Sequence, residues 1–421
     1  MELKNDKIFT ILICVFPILG VYSSGVSTSL SLAELILILF FITHLRKMLH
    51  MRLGGFAKNY AFFTIYVFVL TMISTMFEGL TDSLSLTAIR VLRFVFYSLI
   101  IIVYIPEYFD INYGKKLIVR ISMLSSGVLA VQQLLYIFFG KVTAFIIPFL
   151  GLASGVEMDV FRASLSAQAT NYYFRSSAFF TEPAHFCHYV ILGIMLMLFD
   201  EKEENHGFWR PIFCTVCVVL TTSSFGIIVA LLVWGSWLVI KCSKKITVKQ
   251  TIRIGVIVVL LLTVGVYINK KFNVMGILSS KLASSTIRRQ DSSFAYRVTR
   301  GFSIYSKLNI LEKLFGVGIG NIGIILQQDT RLIDFAESDY MNSLSYILVS
   351  SGILGMMIFI KTIVSNFKYG KLEKCLTLYI LISCLGSSFL NSVTWLMCIA
   401  ILSKSSDHKS IEKMSVSINY E

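Results

Sequence analysis

The stretch RSSAFFTEPAHFCHYVILGIMLMLF, residues 175–199, joins a short ionisable segment to an unbroken apolar run. From Pro183 to Phe199 it carries no Asp, Glu, Lys or Arg, and a run of this length predicts a membrane-spanning helix. Pro183 suits the first helical turn, where its missing N–H costs nothing, so Thr181 or Glu182 takes the N-cap. The sequence therefore predicts that Arg175 and Glu182 lie at the N-terminal end of an apolar helix.

The composition of the whole chain agrees with this interpretation. Of its 421 residues, 56% are hydrophobic and only 15% are charged, and the mean hydropathy is +0.75. A soluble protein carries far more charge, so the chain is predicted to be an all-α integral membrane protein that forms one polytopic domain over residues 1–421. The net charge of +14 is expected from basic cytoplasmic loops, and nucleic acid is not an expected partner.

The eight cysteines do not indicate a disulfide framework. Most lie inside apolar runs, where a thiol packs as a small hydrophobe. Cys214 and Cys217 form a CxxC pair in an apolar segment without a second pair, so core packing is predicted for them. The other cysteines in apolar runs are Cys14, Cys384 and Cys398.

Hydropathy predicts about twelve transmembrane helices, since a span needs about 20 apolar residues. Two apolar runs are too long for one helix: 211–241 is interrupted at TTSSFG and 375–403 at GSSFLNS, so each is predicted to form two helices. The first apolar run is interpreted as a membrane helix and not as a cleaved signal. The predicted spans are 8–23, 29–45, 60–77, 86–105, 117–139, 183–199, 211–222, 224–241, 253–268, 341–361 and two within 375–403.

The distribution of basic residues predicts that both termini are cytoplasmic. With that orientation the short inward segments hold 23 of the 38 Lys and Arg residues, as the positive-inside rule requires. Two outward segments, 140–182 and 269–340, are much longer than the other connectors, and loops of such length are usually functional or disordered. Apolar residues at helical spacing in 294–316 predict instead an amphipathic helix near the outer membrane face, closed by GVGIGN.

Polar residues gather at the predicted outer ends of several spans. Arg90 and Arg93 are three residues apart, hence on one helix face, and are interpreted either as interfacial side chains or as an anion site that faces the bundle interior. His185 and His188 share a face as well and predict a polar cavity lining. No further ligand is spaced to complete a metal site with them, so no metal is expected.

The second outer loop contains further arginines, and carboxylates lie where the chain then re-enters the membrane. Arg297 and Arg300 repeat the three-residue spacing among aromatic residues, and the planar guanidinium fork suits phosphate oxygens. Gly316, Gly318 and Gly320 do not form a nucleotide-binding loop and are predicted to allow a tight turn or a close backbone approach. The remaining residues of this group are Arg288, Arg289, Glu337, Asp339 and Asn342.

In the order and placement of its motifs the chain resembles the O-antigen and capsule polysaccharide polymerase family (Wzy type), which is related to the O-antigen ligases. The motifs are RSSAFFTEPAHF before a span, LTTSSFGIIVALL at a helical hairpin, YRVTRGF and LFGVGIGN in the second outer loop, and ESDYMNSLSYILVSSGILG at the re-entry. Where the ligase branch often has His-Asn, this chain has Met341-Asn342.

The resemblance implies a GT-C-like enzyme that joins oligosaccharide repeat units carried on undecaprenyl diphosphate, at the outer face of the bacterial cytoplasmic membrane and without metal, nucleotide sugar or other cofactor. It implies membrane lipid, a chain-length regulator and a flippase of the same pathway as partners. Arg175, Glu182 and Arg297 match its catalytic positions. Substrate binding is expected from Arg90, Arg93, His185, Arg300, Glu337, Asp339 and Asn342.

Three other functions stay open at this stage. A flippase or transporter of the same lipid-linked saccharide predicts repeat-related halves and charges near the membrane centre, whereas this sequence shows no internal repeat and gathers its charges at the outer rim. A ligase that moves finished polymer to another acceptor and a non-catalytic scaffold of the assembly complex are the others.

Overall fold

The computed structural model is predominantly helical in the residues it describes. They are 2–26, 30–45, 53–77, 84–147, 150–153, 158–167, 174–200, 208–242, 293–329, 332, 341–367, 369–391 and 394–405. These ranges contain no β-strand, and two isolated bridges join Tyr22 to Leu152 and Ser23 to Ser31. The predicted all-α class is therefore confirmed for the described part of the chain.

Several helices are long and apolar enough to cross a membrane, as the hydropathy predicts. Within the described residues the structure has five of them: Gly55–Met76, Thr87–Tyr108, Ile111–Phe139, Ser224–Lys241 and Ser343–Val364. Shorter apolar helices cover Leu32–Thr43, Pro183–Phe199, Trp209–Leu220 and Thr394–Ser405. Together they identify the chain as a multi-pass membrane protein.

The chain divides into two compact units. The first contains residues up to Pro17, residues Ala33–Leu117 and the part that follows from Ser293. Its helices are α1 (Glu2–Leu19), α2 (Leu32–Thr43), α3 (Gly55–Phe77), α4 (Leu84–Leu99), a π-helical turn (Ile100–Tyr104), α5 (Ile105–Tyr108) and the start of α6 (Ile111–Phe139), and later α11 (Ser293–Lys307), α12 (Ile310–Phe315), α13 (Ile322–Gln328), α14 (Ser343–Val364), α15 (Lys371–Gly386) and α16 (Thr394–Ser405).

The second unit is built from Ile18–Leu32 and Ile118–Ser292. It contains the rest of α6, then α7 (Met158–Ala167), α8 (Pro183–Phe199), α9 (Trp209–Leu220) and α10 (Ser224–Cys242). Helices α8, α9 and α10 pack against one another. Part of the first long loop packs on the α1–α2 connector, where Ser23 N–H donates to the Gly151 carbonyl at 2.7 Å.

Each predicted span except 253–268 overlaps a described helix, and 253–268 lies outside the described residues. The split of the run 211–241 is confirmed, because α9 ends at Leu220 and α10 begins at Ser224. The split of 375–403 is confirmed as well, between α15 and α16. The total of twelve spans stays a prediction.

The amphipathic segment of the second long loop forms two helices, α11 and α12. The break has a local cause at Asn309, which caps α12: its Oδ1 accepts the Glu312 N–H at 2.8 Å, and the Glu312 carboxylate accepts the Asn309 N–H at 2.7 Å. This reciprocal capping box satisfies two helix-terminal donors and starts a new helix. Ile304 and Leu308 are buried at the break.

The cysteines pack as predicted. The thiols of Cys14, Cys214, Cys217, Cys384 and Cys398 are buried and form no disulfide. Cys217 Sγ lies 3.3 Å from the Ser126 carbonyl oxygen of α6, and Cys214 Sγ lies 3.4 Å from Ser126 Oγ. The CxxC pair therefore helps α9 to pack against α6.

Candidate functional site

Two adjacent glutamines of α6 hold the loop that carries Arg175. Gln133 is buried, and its Nε2 donates to the Phe174 carbonyl at 2.5 Å and to Ser176 Oγ at 2.7 Å. Gln132 Oε1 accepts the Ala178 N–H at 2.9 Å, while its Nε2 donates to the Thr143 carbonyl at 2.8 Å. The backbone on both sides of Arg175 is thus fastened to a long helix.

The loop turns sharply after it passes Arg175. Ala178 adopts φ 52°, a left-handed conformation that is uncommon for a residue with a side chain. Ser177 Oγ donates to the Phe180 carbonyl at 2.7 Å, and Phe180 N–H donates to the Ser177 carbonyl at 3.0 Å. A strained residue persists only where its surroundings over-determine it, and here Gln132 and Ser177 supply those surroundings.

Arg175 is partly buried in this loop. Its Nε is inaccessible to solvent and has no hydrogen-bond partner among the described residues. The guanidinium lies within electrostatic range of Cys187 in α8. A buried donor without a partner costs free energy, which an anionic ligand at this position would recover.

Glu182 occupies the N-cap of α8, and Pro183 occupies the first helical position, as predicted. Its backbone is extended, with φ −130° and ψ 145°, but its side chain makes no capping hydrogen bond. The side chain is exposed and lies within electrostatic range of His185. Glu182 therefore takes the N-cap position, but its carboxylate does not cap the helix.

The two histidines of α8 differ in their surroundings. His188 is 2% exposed, and its ring lies 4.6 Å from the ring of Phe225 in α10. His185 is only partly buried, beside Glu182. His188 therefore belongs to the packing between α8 and α10, and His185 is the histidine at the mouth.

The α9–α10 turn packs against the same end of α8. Cys187 Sγ lies 3.3 Å from Thr221 Oγ1, and a Cβ at Gly226 would collide with Cys187. Ser223 N–H donates to Thr221 Oγ1 at 3.2 Å. The hairpin motif TTSSFG and the motif RSSAFFTEPAHF thus meet within one unit, around the N-terminal half of α8.

In the other unit Arg93 has a protein partner. Its Nε lies 3.1 Å from Glu34 Oε1, and its Nη2 donates to Glu34 Oε2 at 3.4 Å. Tyr97 Oη donates to Glu34 Oε1 at 2.6 Å. Glu34 of α2 therefore binds two side chains of α4, so part of the Arg93 charge is neutralised within the protein.

Arg90 lies beside the Gly-rich segment, defined as residues 316–321. Its Nη1 donates to the Gly320 carbonyl at 3.4 Å. Gly316, Gly318 and Gly320 have φ of +88°, +88° and +95°. A Cβ at Gly316 would lie 2.5 Å from backbone atoms of Ser350 and Gly352, so the predicted close backbone approach of this segment is confirmed.

The structure describes some of the remaining predicted site residues but not all of them. Arg300 of α11 is 4% exposed, and Asn342 is buried as the N-cap of α14, where its side chain accepts the Ser345 N–H at 2.8 Å. A Cβ at Gly301 would collide with Ser345, so the backbone next to Arg300 lies against the first turn of α14. Outside the description lie the side chain of Arg297 and residues Arg288, Arg289, Glu337 and Asp339.

Arg175, Glu182 and His185 are the predicted site residues that lie in the second unit, at or before the first turn of α8. Arg90, Arg93, Arg297, Arg300 and Asn342 belong to the other unit, and the convergence of the two sets stays a prediction. In no described range does the structure group three or more His, Cys, Asp or Glu side chains as metal ligands.

Sequence reasoning missed Glu34, Gln132 and Gln133. A signal for each was present, because ionisable or amide side chains inside apolar helices are rare and usually have a partner or a function. Glu34 interrupts the apolar run of α2, and the glutamine pair interrupts that of α6. The sequence alone does not say which partner each side chain finds.

No protein-family model matches the chain, and no curated protein matches it significantly.

Proposed function

We propose that the protein is a polysaccharide polymerase that joins oligosaccharide repeat units linked to undecaprenyl diphosphate. We place it in the bacterial cytoplasmic membrane, with twelve spans in a GT-C-like arrangement, both termini in the cytoplasm and its chemistry at the outer face. The multi-pass helical architecture supports a lipid-borne substrate. The order of the sequence motifs supports the substrate class.

The observation that carries the proposal is the pair Arg175 and Glu182 in the second unit. Arg175 is fastened by its backbone and presents a buried Nε without a described hydrogen-bond partner. Glu182 stands at the positive end of α8 without using its carboxylate to cap the helix. A fixed cation for phosphate and an available carboxylate for a hydroxyl are the two groups that transfer of a glycosyl residue from a diphosphate requires.

The proposed reaction is a single displacement. An oxygen lone pair of an acceptor sugar hydroxyl forms a bond to the anomeric carbon of the donor sugar. The bond from that carbon to the diphosphate oxygen breaks, and its electron pair leaves with the lipid diphosphate. Glu182 receives the hydroxyl proton or orients the hydroxyl.

Arginines are assigned to the leaving group, because preorganised donors that face developing negative charge stabilise a transition state. We assign this role to Arg175 because its buried Nε has no hydrogen-bond partner among the described residues. The sequence resemblance assigns the same role to Arg297 and lets Arg90 share it. His185, Arg93, Arg300, Glu337, Asp339 and Asn342 are proposed to bind the saccharide or its phosphates.

The test uses the purified full-length protein in vesicles with one lipid-linked repeat unit as the only substrate. A ladder of chain lengths is the expected product. Arg175→Ala is expected to lower turnover about 10²–10³-fold, equivalent to roughly 2.7–4 kcal/mol. Arg210→Ala, at an exposed arginine of α9 in the same unit, is the matched control and should polymerise normally.

Other outcomes identify other functions. Movement of the unchanged substrate across the vesicle indicates a flippase, and transfer of a finished chain to a different acceptor indicates a ligase. Normal ladders from Arg175→Ala protein at normal membrane levels would remove Arg175 from the mechanism. If removal of the Glu182 side chain abolishes the ladder but Glu182→Gln preserves it, Glu182 orients the hydroxyl and does not act as a base.

A further inference from the structure

The Gly-rich segment 316–321 contacts α14 backbone to backbone. Val317 N–H donates to the Val349 carbonyl at 3.0 Å, and Gly318 N–H donates to the Ser350 carbonyl at 2.8 Å. At Gly352 the helix leaves helical geometry, with φ 65° and ψ −173°. A Cβ at Gly352 would collide with the Leu314 carbonyl, so the end of α12 is fixed at the level of this kink.

The kink lies near the middle of a helix that has the length of a membrane span. Helix α14 has 22 residues from Ser343 to Val364. The part that follows Gly352 extends only about 18 Å at about 1.5 Å per residue, whereas the hydrocarbon core is about 30 Å thick. If α14 crosses the membrane, Gly352 and the residues fixed to it must lie inside the hydrocarbon.

A second span fixes the same segment independently. Ile319 N–H donates to Thr71 Oγ1 at 3.0 Å, and Ser74 Oγ donates to the Val317 carbonyl at 2.7 Å. Thr71 and Ser74 lie on α3, inside the candidate span Gly55–Met76. The Gly-rich segment therefore lies against two apolar helices, within their length and not beyond their ends.

Much of the polar backbone of the segment is bonded within the protein. Besides the bonds above, Asn321 is fully buried, and its Nδ2 donates to the Val317 carbonyl at 3.0 Å and to Thr75 Oγ1 at 3.1 Å. Irregular backbone at membrane depth is tolerated only where its polar groups find such partners. These hydrogen bonds are of the kind that burial in a bilayer requires.

Helix α12, which leads into the segment, presents apolar side chains outward. Ile310 is 77% exposed and Leu311 68%, and Leu314 and Phe315 are exposed as well. The exposed apolar residues of α14 just past the kink are Ile353, Leu354 and Met357. The two helices pack together, so the outward face of α12 continues an apolar surface of a membrane span.

We propose that residues 310–321 form a re-entrant segment that enters one leaflet, the outer one in the predicted topology, and that Ile310, Leu311, Leu314 and Phe315 contact lipid acyl chains there. The charged residues of α12 are compatible with this position. The Glu312 carboxylate is held at the Asn309 cap, and Lys313 can extend its ammonium toward the headgroups. This inference concerns membrane contact and does not depend on the polymerase proposal.

The test places single spin labels on the full-length protein in vesicles of phosphatidylcholine and phosphatidylglycerol. Leu311→Cys and Phe315→Cys report on the segment. Met357→Cys, exposed on α14, is the lipid control, and Lys116→Cys, exposed at the start of α6, is the water control. The unsubstituted protein gives the background from native thiols. Accessibility to oxygen, which concentrates in hydrocarbon, is compared with accessibility to a water-soluble nickel chelate.

Both segment labels are expected to follow Met357, with high oxygen and low nickel accessibility, and Phe315 to lie deeper than Leu311. High nickel accessibility at both positions, as at Lys116, would overturn the proposal. Spin–spin broadening at Leu311 that disappears on dilution with unlabelled protein would also overturn it, because a second copy would then be the occupant.

Discussion

Glu34 is a carboxylate at the start of an apolar helix, and its partners explain why it is tolerated. It binds Arg93 and Tyr97 of α4, so one side chain fastens two helices. We predict that Glu34→Gln and Arg93→Gln each lower thermal stability in detergent. The coupling between the two sites should be about 0.5–3 kcal/mol, toward the lower end because the Arg93 side chain is 46% exposed and exposure weakens ion pairs.

A double-mutant cycle measures this coupling directly. The double variant Glu34→Gln/Arg93→Gln should lose less stability than the sum of the two single losses. Additive losses would mean that the two side chains act independently, despite their 3.1 Å separation. Tyr97→Phe serves as a third point, since it removes only the hydroxyl that donates to Glu34.

Individual residues also show how much of the candidate site can be predicted from the sequence. The N-cap position of Glu182 followed from Pro183, because proline has a strong positional preference at the first helical turn. The absence of a capping hydrogen bond from its carboxylate did not follow, since capping by a side chain depends on a rotamer. The orphaned Nε of Arg175 could not be predicted either, because it depends on how Gln132 and Gln133 hold the loop from 41 or more residues away along the chain.

At the scale of elements, the kink of α14 and the Gly-rich segment depend on each other. Gly352 has φ +65°, and an added Cβ would meet the Leu314 carbonyl. We predict that Gly352→Ala costs at least about 1–3 kcal/mol from backbone strain alone, with the collision added. Thermal unfolding in detergent measures the loss.

Gly235→Ala is the matched control for this prediction. Gly235 lies inside α10, and no atom lies within 4 Å of a Cβ built there. The change should stabilise the protein by roughly 0.5–1 kcal/mol, as expected when alanine replaces glycine in a helix. Equal effects of the two substitutions would contradict the proposed contact between Gly352 and α12.

The loop that carries Arg175 gives a second element-scale prediction. Gln133→Ala removes the donor to Phe174 and Ser176, leaves buried acceptors without it, and should cost about 1–3 kcal/mol. The fastened loop is expected to resist trypsin, and the same change should let trypsin cut after Arg175, which mass spectrometry of the fragments detects. Gln327→Ala, at an exposed glutamine, is the control and should leave the cleavage pattern unchanged.

Hydropathy predicted the helices well and their irregularities poorly, for a physical reason. The run 211–241 was divided correctly because it is too long for one span and contains polar turn residues. Two irregularities were not predicted: the break between α11 and α12 at Asn309 and the kink at Gly352. Each lies within a sequence whose apolar residues keep helical spacing. A capping box and a contact with a distant backbone decide these two positions, and mean hydropathy contains neither.

For the whole molecule, the number of spans decides on which side the chain ends. With the N-terminus in the cytoplasm, twelve spans return the C-terminus to the same side, and loss of the single span 253–268 would place it outside. The basic residues of 361–374 and of the C-terminal tail favour the cytoplasm. We therefore predict that a fluorescent protein fused to the C-terminus fluoresces, because such fusions fold in the cytoplasm.

Alkaline phosphatase, which is active only outside the cytoplasm, tests the other side of the membrane. Fused to a chain that ends at Gly140, after α6, it should be active, because five predicted spans precede that position. Fused at Asp200, after α8, it should be inactive. An active phosphatase at the C-terminus together with this pattern at Gly140 and Asp200 would remove one span from the second half of the chain. If that span were 253–268, the basic segment 361–374 would lie outside, against the charge distribution from which the topology was derived.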